Sequence, residues 1–468
     1  MALTVEENER LTHVGPGTPG GEMMRRYWHP VAVTVALEEN PVMPVRILGE
    51  DLTLFRDRSG KLGLVGQRCA HRLVDMRFGI PEDNGLRCPY HGWAYDSTGQ
   101  CIETPLESPN SRLRERISIG GYPVEELGGL IWAYLGPDPV PLLPRWDLFV
   151  RSDGFRQIIA HQLPCNWLQA MENRGDHGHA IYLHGRLHQY ALERQGRLTD
   201  DERPRYNATM KRQAERLARG AYERYRSIPN EFGMTKARLD FDQDESAASW
   251  NLGTNPILFP YQLAFGPQRQ IRRSYQLGVP IDDTHTWHIA YSCFVFPEGV
   301  ELPKQDSVPY AEVPLKDENG EYVLDYVLGQ DMVAWYSQGE ITDRSRETLA
   351  STDVCIEDYR ALLASQIDKV ERGEVPMNVF FDATQADRPE LRIPGFAEDE
   401  ISETSIVAGS AGQYYRGNYH KMSPAGWLYI EDDAERYCPD RDLIIAAYAK
   451  AEELGKQRAP QAEPAPTV

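Results

Sequence analysis

Between residues 246 and 298 apolar and polar positions alternate around turn signals, as in SAASWNLGTNPILFPYQLAFG and YQLGVPIDDTHTWHIAYSCFVFP. A period of two predicts strands, here of one larger antiparallel sheet. The spacing lengthens in SRETLASTDVCIEDYRALLASQIDKVERGE, where apolar residues recur at helical intervals and predict a long helix. Ahead of both, residues 45 to 145 run in short β-like pieces: VRILGEDLTLFRD, SGKLGLVGQ, LRCPYHGWAYDSTGQCIETP and LGGLIWAYLGPDPVPLLP. Turn residues separate them, which predicts a small antiparallel β domain, closed by Pro137, Pro139, Pro141 and Pro144. The stretch WLQAMENRGDHGHAIYLHGRLHQYALE is rich in helix formers, and the charged residues 199 to 226 read as an exposed helix or excursion. No internal repeat is present.

The organisation expected is α+β. Residues 1–44 form an N-terminal segment packed on the larger domain, 45–145 the small β domain, 146–453 an α+β domain on an antiparallel sheet, and 454–468 a disordered tail. The tail ends in LGKQRAPQAEPAPTV, which cannot build a core.

Composition narrows the function classes. Seventy acidic against fifty basic residues among 468 give a formal charge of −20, which argues against a phosphate-tracking surface and so against nucleic acid. MALTVEENERLTHVGPG has no apolar signal core and no run of eighteen apolar residues occurs, so a cytoplasmic protein without a membrane span is expected. Seven cysteines thinly spread do not form a disulfide framework. Cys101, Cys165, Cys293, Cys355 and Cys438 read as small buried hydrophobes.

The other two cysteines sit beside histidines in RCAHRLVDMRFGIPEDNGLRCPYHGW. Cys69 and His71 form one clip, Cys88 and His91 a second, with sixteen residues between them. Two such clips can hold one zinc or the two irons of a [2Fe-2S] cluster, and spacing alone does not choose. Gly79, Pro81, Gly85, Pro89 and Gly92 make the stretch loop-like, unlike the helical HxxxH half of a zinc finger. Arg68, Arg72, Arg77 and Arg87 surround the clips in an acidic chain; they either balance a cluster's negative charge or form a docking patch for an acidic electron donor.

CAHR, then CPYHGW, then AYDSTGQC resembles the cluster-binding signature of Rieske oxygenases. Position 74 is valine, whereas respiratory Rieske proteins carry an extra cysteine in each loop, so the resemblance is to the oxygenases. It implies that Cys69, His71, Cys88 and His91 hold a Rieske [2Fe-2S] cluster. It further implies a catalytic domain of helix-grip, Bet v1-like form with a mononuclear Fe(II).

Residues 166 to 188 supply candidates for that iron: Asp176, His177, His179, His184 and His188. Helix geometry favours His184 with His188, four apart on one face; His179 and His184, five apart, need a distorted helix or a helix end. The pattern DxxHxxxxH resembles the mononuclear iron motif of the family and selects His179 and His184. The third ligand of a two-histidine, one-carboxylate iron site comes from elsewhere. Similarity to the phthalate dioxygenase branch in GQDMVAWYSQGEITDRSRETLASTDV implies Asp331, with Asp325, Glu340 and Asp343 as neighbouring carboxylates. By the same resemblance Asp176 orients His179 and relays electrons from His91 of a neighbouring subunit, in a homotrimer or stacked trimers.

The resemblance spans the chain from MMRRYWHPVAV to TLASTDV. It implies an oxygenase fed by a separate NAD(P)H-dependent reductase of flavin or ferredoxin type, acting with O₂ on an aromatic substrate, most often a carboxylate. The reaction implied is ring hydroxylation, with O- or N-demethylation as the alternative. A soluble Rieske electron carrier and a zinc-stabilised binding module are the readings from other classes. Phe259, Tyr261 and Phe265 are candidate pocket lining, and Arg186, Lys236 and Arg238 candidate carboxylate clamps.

Overall fold

The computed structural model describes residues 2–196, 223–241, 243–265, 272–296, 298–324, 327–382 and 440–458, with scattered positions between 197 and 222. The stretch 199–221 therefore lies largely outside the described residues, as do Asp325 and Cys438.

The strands predicted in 246–298 form the middle of an eight-stranded sheet. Its heart is the hairpin Arg272–Pro280 with Thr286–Phe294, turned by IDDTH and paired on its far side with Phe155–Leu163. Strands Arg224–Asn230, Gly233–Leu239, Thr254–Leu258 and Gln262–Phe265 extend it on the other flank. The sheet is antiparallel except at one edge, where Tyr310–Glu312 runs parallel to Phe155–Leu163.

Alternation along this sheet does not separate core from water, because every residue of Arg272–Pro280 is buried. It separates two buried layers. Tyr275, Leu277, Val279, Ile289 and Tyr291 enter the main apolar core, whereas Ser274, Gln276, His288 and Ser292 share the opposite face. Helix Val327–Tyr336 and helix Arg441–Arg458 supply side chains to the second core cluster, with Leu328, Met332, Trp335, Ile444 and Tyr448.

The long helix is Val354–Glu371, shorter than the segment predicted. Its start is displaced because Ser351–Asp353 form a 3₁₀ turn in which the Asp353 carboxylate accepts from the Ala350 amide, a local bond that competes with helix. It packs on Arg224–Asn230, on Gly233–Leu239 and on helix Trp167–Gly175. The expected tail from 454 is corrected over its first five residues: helix Arg441–Arg458 runs through them. RDLIIAAYAKAEELGKQR holds mostly strong helix formers, and its Ile444, Ala447, Tyr448 and Ala451 are buried, so packing completes the helix. Residues 459–468 lie outside the described residues.

The small β region holds two four-stranded sheets, Val42–Ile47, Glu50–Arg56, Leu62–Gly66 and Gly121–Tyr122 in one, and Ile80–Glu82, Gly85–Arg87, Ala94–Tyr95 and Cys101–Glu103 in the other. A third sheet ties it to the N-terminal segment: Trp28–Val33 pairs with Leu130–Tyr134, across a boundary drawn at residue 45. Helix Val5–Thr12 opens on a capping box between Thr4 and Glu7, and Arg10 reaches Asp368 and Glu371 of the long helix.

Candidate functional site

The two clips are built alike. In the first, the Cys69 amide donates to Val74 O and the Leu73 amide to Cys69 O; in the second, the Cys88 amide donates to Trp93 O and the Gly92 amide to Cys88 O. Each closure needs a left-handed residue, Leu73 (φ 58) and Gly92 (φ 74), and at the first loop a leucine carries the strain. Cys69 and Cys88 are buried, with the Tyr95 hydroxyl 3.2 Å from Cys69 Sγ. Burial, and then the neighbouring Cys69, push the Cys88 thiol up. His71 and His91 lie outward, ring centroids 4.4 Å apart, His71 stacked on Trp93.

The cysteines are thus paired inside and the histidines outside, the division a Rieske cluster requires, with both sulfurs on one iron and both imidazoles on the other. No three of the four ligand atoms close within 4.8 Å, too open for one tetrahedral zinc. Of the surrounding arginines, Arg87 is committed to Glu82, Glu103 and the Gly92 carbonyl, and Arg68 and Arg77 share Asp75. Arg72 lies over exposed Tyr90.

The second site answers the helix-geometry problem by changing helix type. Helix Trp167–Gly175 ends at Asp176, a short turn restarts at His179–Ile181, and Tyr182–Leu187 is π-helical. Hydrogen bonds from i to i+5 widen the turn, so residues five apart become neighbours. His179 and His184 face each other with ring centroids 5.2 Å apart. Asp331, on helix Val327–Tyr336, brings Oδ1 to 3.3 Å from His184 Nε2 and 3.9 Å from His179 Nε2. Among the described residues these three are the one set of metal-type ligands whose atoms all lie within 4.8 Å of one another. Asp331 Oδ1 is buried and accepts no hydrogen bond, so its lone pairs are left for a cation.

Asp176 stands behind His179. It accepts from the Gly178 amide at 2.5 Å and the His179 amide at 3.2 Å, and its Oδ2 is 3.3 Å from His179 Nδ1, without the alignment of a hydrogen bond. Burial raises its carboxyl, but the His179 imidazole and the Gly178 amide outweigh that and hold it down to about 2. Lys236 Nζ donates to the Asp176 carbonyl at 2.8 Å.

Gln330 is the residue that sequence reading missed. Its Nε2 faces the Leu324 carbonyl at 2.6 Å, which can only accept, so Oε1 must face His184 Nδ1 at 2.9 Å. His184 therefore carries its proton on Nδ1, and Nε2 is bare toward Asp331. The same amide nitrogen reaches His188 Nδ1 at 2.8 Å, so His188 supports Gln330 rather than facing the ligand group. The signal available in the sequence was its place next to Asp331.

Other candidates fall elsewhere. His177 Nε2 is 3.6 Å from Cys355 Sγ, and burial, with Lys236 and Arg238 nearby, holds the imidazole neutral, near 3. Glu340 is exposed, and Asp343 accepts from Ser345. Phe259 packs on Tyr27, and Tyr261 bonds His29 Nδ1 at 2.9 Å, so both face the N-terminal segment. Arg186 lines an outer cleft of about 680 Å³ with Asp176, His179, Tyr182 and Tyr190.

Comparison with known proteins gives this arrangement a family. Residues 27–123 match the Rieske [2Fe-2S] domain. The chain is 36% identical to the 5,5'-dehydrodivanillate O-demethylase oxygenase subunit of Sphingobium sp. (strain NBRC 103272 / SYK-6), over 95% of this chain and 100% of that one. It is 32% identical to phenoxybenzoate dioxygenase subunit alpha of Ectopseudomonas oleovorans, over 81% and 88%, and 29% identical to the phthalate 4,5-dioxygenase oxygenase subunit of Pseudomonas putida, over 80% and 88%. In fold it is similar to NdmA of Pseudomonas putida CBB5 (TM-score 0.54, 17% identity, 76% of this chain and 94% of that one). The terminal oxygenase of carbazole 1,9a-dioxygenase from Novosphingobium sp. KA1 gives TM-score 0.51 at 20% identity, over 77% and 94%. The chain belongs to the Rieske oxygenases, as an oxygenase subunit that uses a [2Fe-2S] cluster and a mononuclear iron and takes its electrons from a separate partner protein.

Proposed function

We propose that Cys69, His71, Cys88 and His91 hold the cluster, that His179, His184 and Asp331 hold the mononuclear iron, and that the enzyme hydroxylates an aromatic carboxylate. The observation that carries the ligand assignment is the convergence of His179, His184 and the unpartnered Asp331 Oδ1 across two helices. Bound there, an iron with two histidines and one carboxylate retains open positions for O₂. The chain's own groups prepare that site. Gln330 fixes the His184 tautomer, and Asp176 orients His179 while its backbone is pinned by Lys236. A second reading, O-demethylation of a methoxylated aromatic, is favoured by the similarity to an O-demethylase subunit along nearly the whole chain.

The electron donor fits an NAD(P)H-dependent reductase. The active form is a homotrimer in which His91 of one subunit approaches Asp176 of the next. The open cleft beside Asp176 and His179, and exposed Leu73, Phe78 and Tyr90 near the clips, support that docking. The working division is a cluster-bearing domain over 45–145, joined by Trp28–Val33 of the N-terminal segment, and a catalytic domain from 146.

The test is metal analysis with turnover. Wild type is expected to hold three irons per chain, two in the cluster and one at the mononuclear site, and His179→Ala only the cluster pair, with an unchanged visible spectrum and no product. A His179→Ala protein that retains turnover refutes the assignment. Formaldehyde release against ring-hydroxylated product from methoxybenzoates separates the two reactions.

A further inference from the structure

Arg174 is a cation in the core. It lies on helix Trp167–Gly175 with 2% of its surface exposed. Its Nη1 donates to the Tyr261 carbonyl at 2.8 Å and touches Met171 Sδ at 2.7 Å, while Nε and Nη2 meet no acceptor. Those two N–H groups form the side-on edge of the guanidinium, the fork that takes both oxygens of a carboxylate in parallel bonds. Leaving that edge buried and unpaired is costly, and a buried cation without an anion more so.

The surroundings repeat the pattern. Gly278 lies beneath the guanidinium: a Cβ there would stand 3.5 Å from Nη1 and 3.7 Å from Nη2, so the fork occupies the same sheet face as that missing side chain. Gly278 pairs across the sheet with His288, and His288 with His161, the two imidazoles joined Nδ1 to Nδ1 at 3.1 Å. The Trp335 ring lies 5.1 Å from that of His288. Trp335 Nε1, like His288 Nε2, is buried without a partner. Trp335 follows Asp331 by one helical turn and shares its face, which ties this donor group to the iron ligands. Arg174 and Trp335 can only donate. Burial holds the guanidinium down to about 9, so it is still a cation at neutral pH, and Tyr359 and Asp331 offset part of the loss.

We propose that the Nε–Nη2 edge of Arg174, with Trp335 and His288 beside it, binds the carboxylate of the aromatic substrate and makes the enzyme selective for acids over their uncharged analogues. This rests on the iron assignment above; of the sequence candidates for the clamp, Lys236 already donates to the Asp176 carbonyl.

The experiment is calorimetric titration of the full-length, metal-loaded protein with benzoate, 4-methoxybenzoate and phthalate, each beside its methyl ester. Wild type is expected to bind at least one acid tenfold or more tighter than its ester. Arg174→Met is expected to lose on the order of ten- to hundredfold for that acid and little for the ester, and Arg174→Lys, which retains charge without the fork, to recover only part. Trp335→Phe keeps an aromatic side chain, though a smaller one, removes one donor, and is expected to weaken the acid more than the ester, which keeps the test available if Arg174→Met does not fold. Equal binding of acid and ester by wild type, no acid bound, or an acid preference that survives both substitutions overturns the proposal. Iron content separates the two readings: an iron-loaded wild type without acid preference loses the clamp and not the metal site. An acid preference without mononuclear iron does the reverse.

Discussion

Gln330 shows how far the proposed iron site depends on a residue that supplies no ligand atom. Its amide is polarised by one unambiguous neighbour, the Leu324 carbonyl, and that single contact propagates through Oε1 to the protonation of His184. Replacing Gln330 by leucine preserves the volume and removes all three bonds, to Leu324, His184 and His188. The expected result is a roughly 10- to 100-fold loss of Fe(II) affinity, read by chelator competition, with the cluster spectrum unchanged. Unaltered affinity would show that packing alone orients the imidazole. At this scale the sequence named the two cysteine and histidine clips and the three converging ligands through resemblance. Composition and spacing stopped short: helix geometry alone paired His184 with His188, and Gln330 and Arg174 carried no pattern to mark them. Their roles depend on which groups lie within 3 Å after folding, which spacing along the chain does not encode.

Elements supply the precision that residues cannot. The π-helical turn Tyr182–Leu187 places His184 back beside His179, and helix Trp167–Gly175 must be rigid for that turn to start in register. Rigidity comes from Glu172, buried between two arginines: Arg344 donates through Nε at 2.7 Å and Nη2 at 2.8 Å, and Arg360 through Nε at 2.6 Å. These bonds join the helix to the 342–347 loop and to helix Val354–Glu371. Burial raises the Glu172 carboxyl, yet the two guanidinium groups prevail and lower it below its ordinary 4.5. A carboxyl lowered on folding stabilises the protein above its unfolded pKa and loses that contribution as pH falls through the folded value. Glu172→Gln leaves buried Arg344 without its carboxylate, while Arg360 keeps Glu347, and is expected to cost about 3–5 kcal/mol at pH 7. Urea midpoints of the two proteins should converge as pH drops below 4.5; a gap that stays constant would deny the ion pairs their role. The strands and the long helix were legible from periodicity. The helix breaks at Asp176 and the parallel edge strand were not, because both are set by tertiary partners.

For the whole molecule, the proposed trimer sets the exposed Leu73, Phe78 and Tyr90 near the clips against the open cleft at Asp176 and His179 of the next subunit. A heterologous contact of this kind, with different patches meeting, closes into a ring when the rotation permits. In such a ring the cluster of one subunit serves the iron of its neighbour, so two defective chains can repair each other. Cys88→Ser removes a cluster ligand, Asp331→Ala removes an iron ligand, and each alone is expected to give no product. Co-expressed and purified as mixed assemblies, they place an intact cluster against an intact iron wherever an Asp331→Ala chain docks on a Cys88→Ser chain. Random association at equal amounts makes about a quarter of the contacts productive, so turnover near that fraction of wild type is expected. Activity no higher than that of either parent alone would mean that electrons travel within one chain, and would remove the reason for Asp176 to face an open cleft.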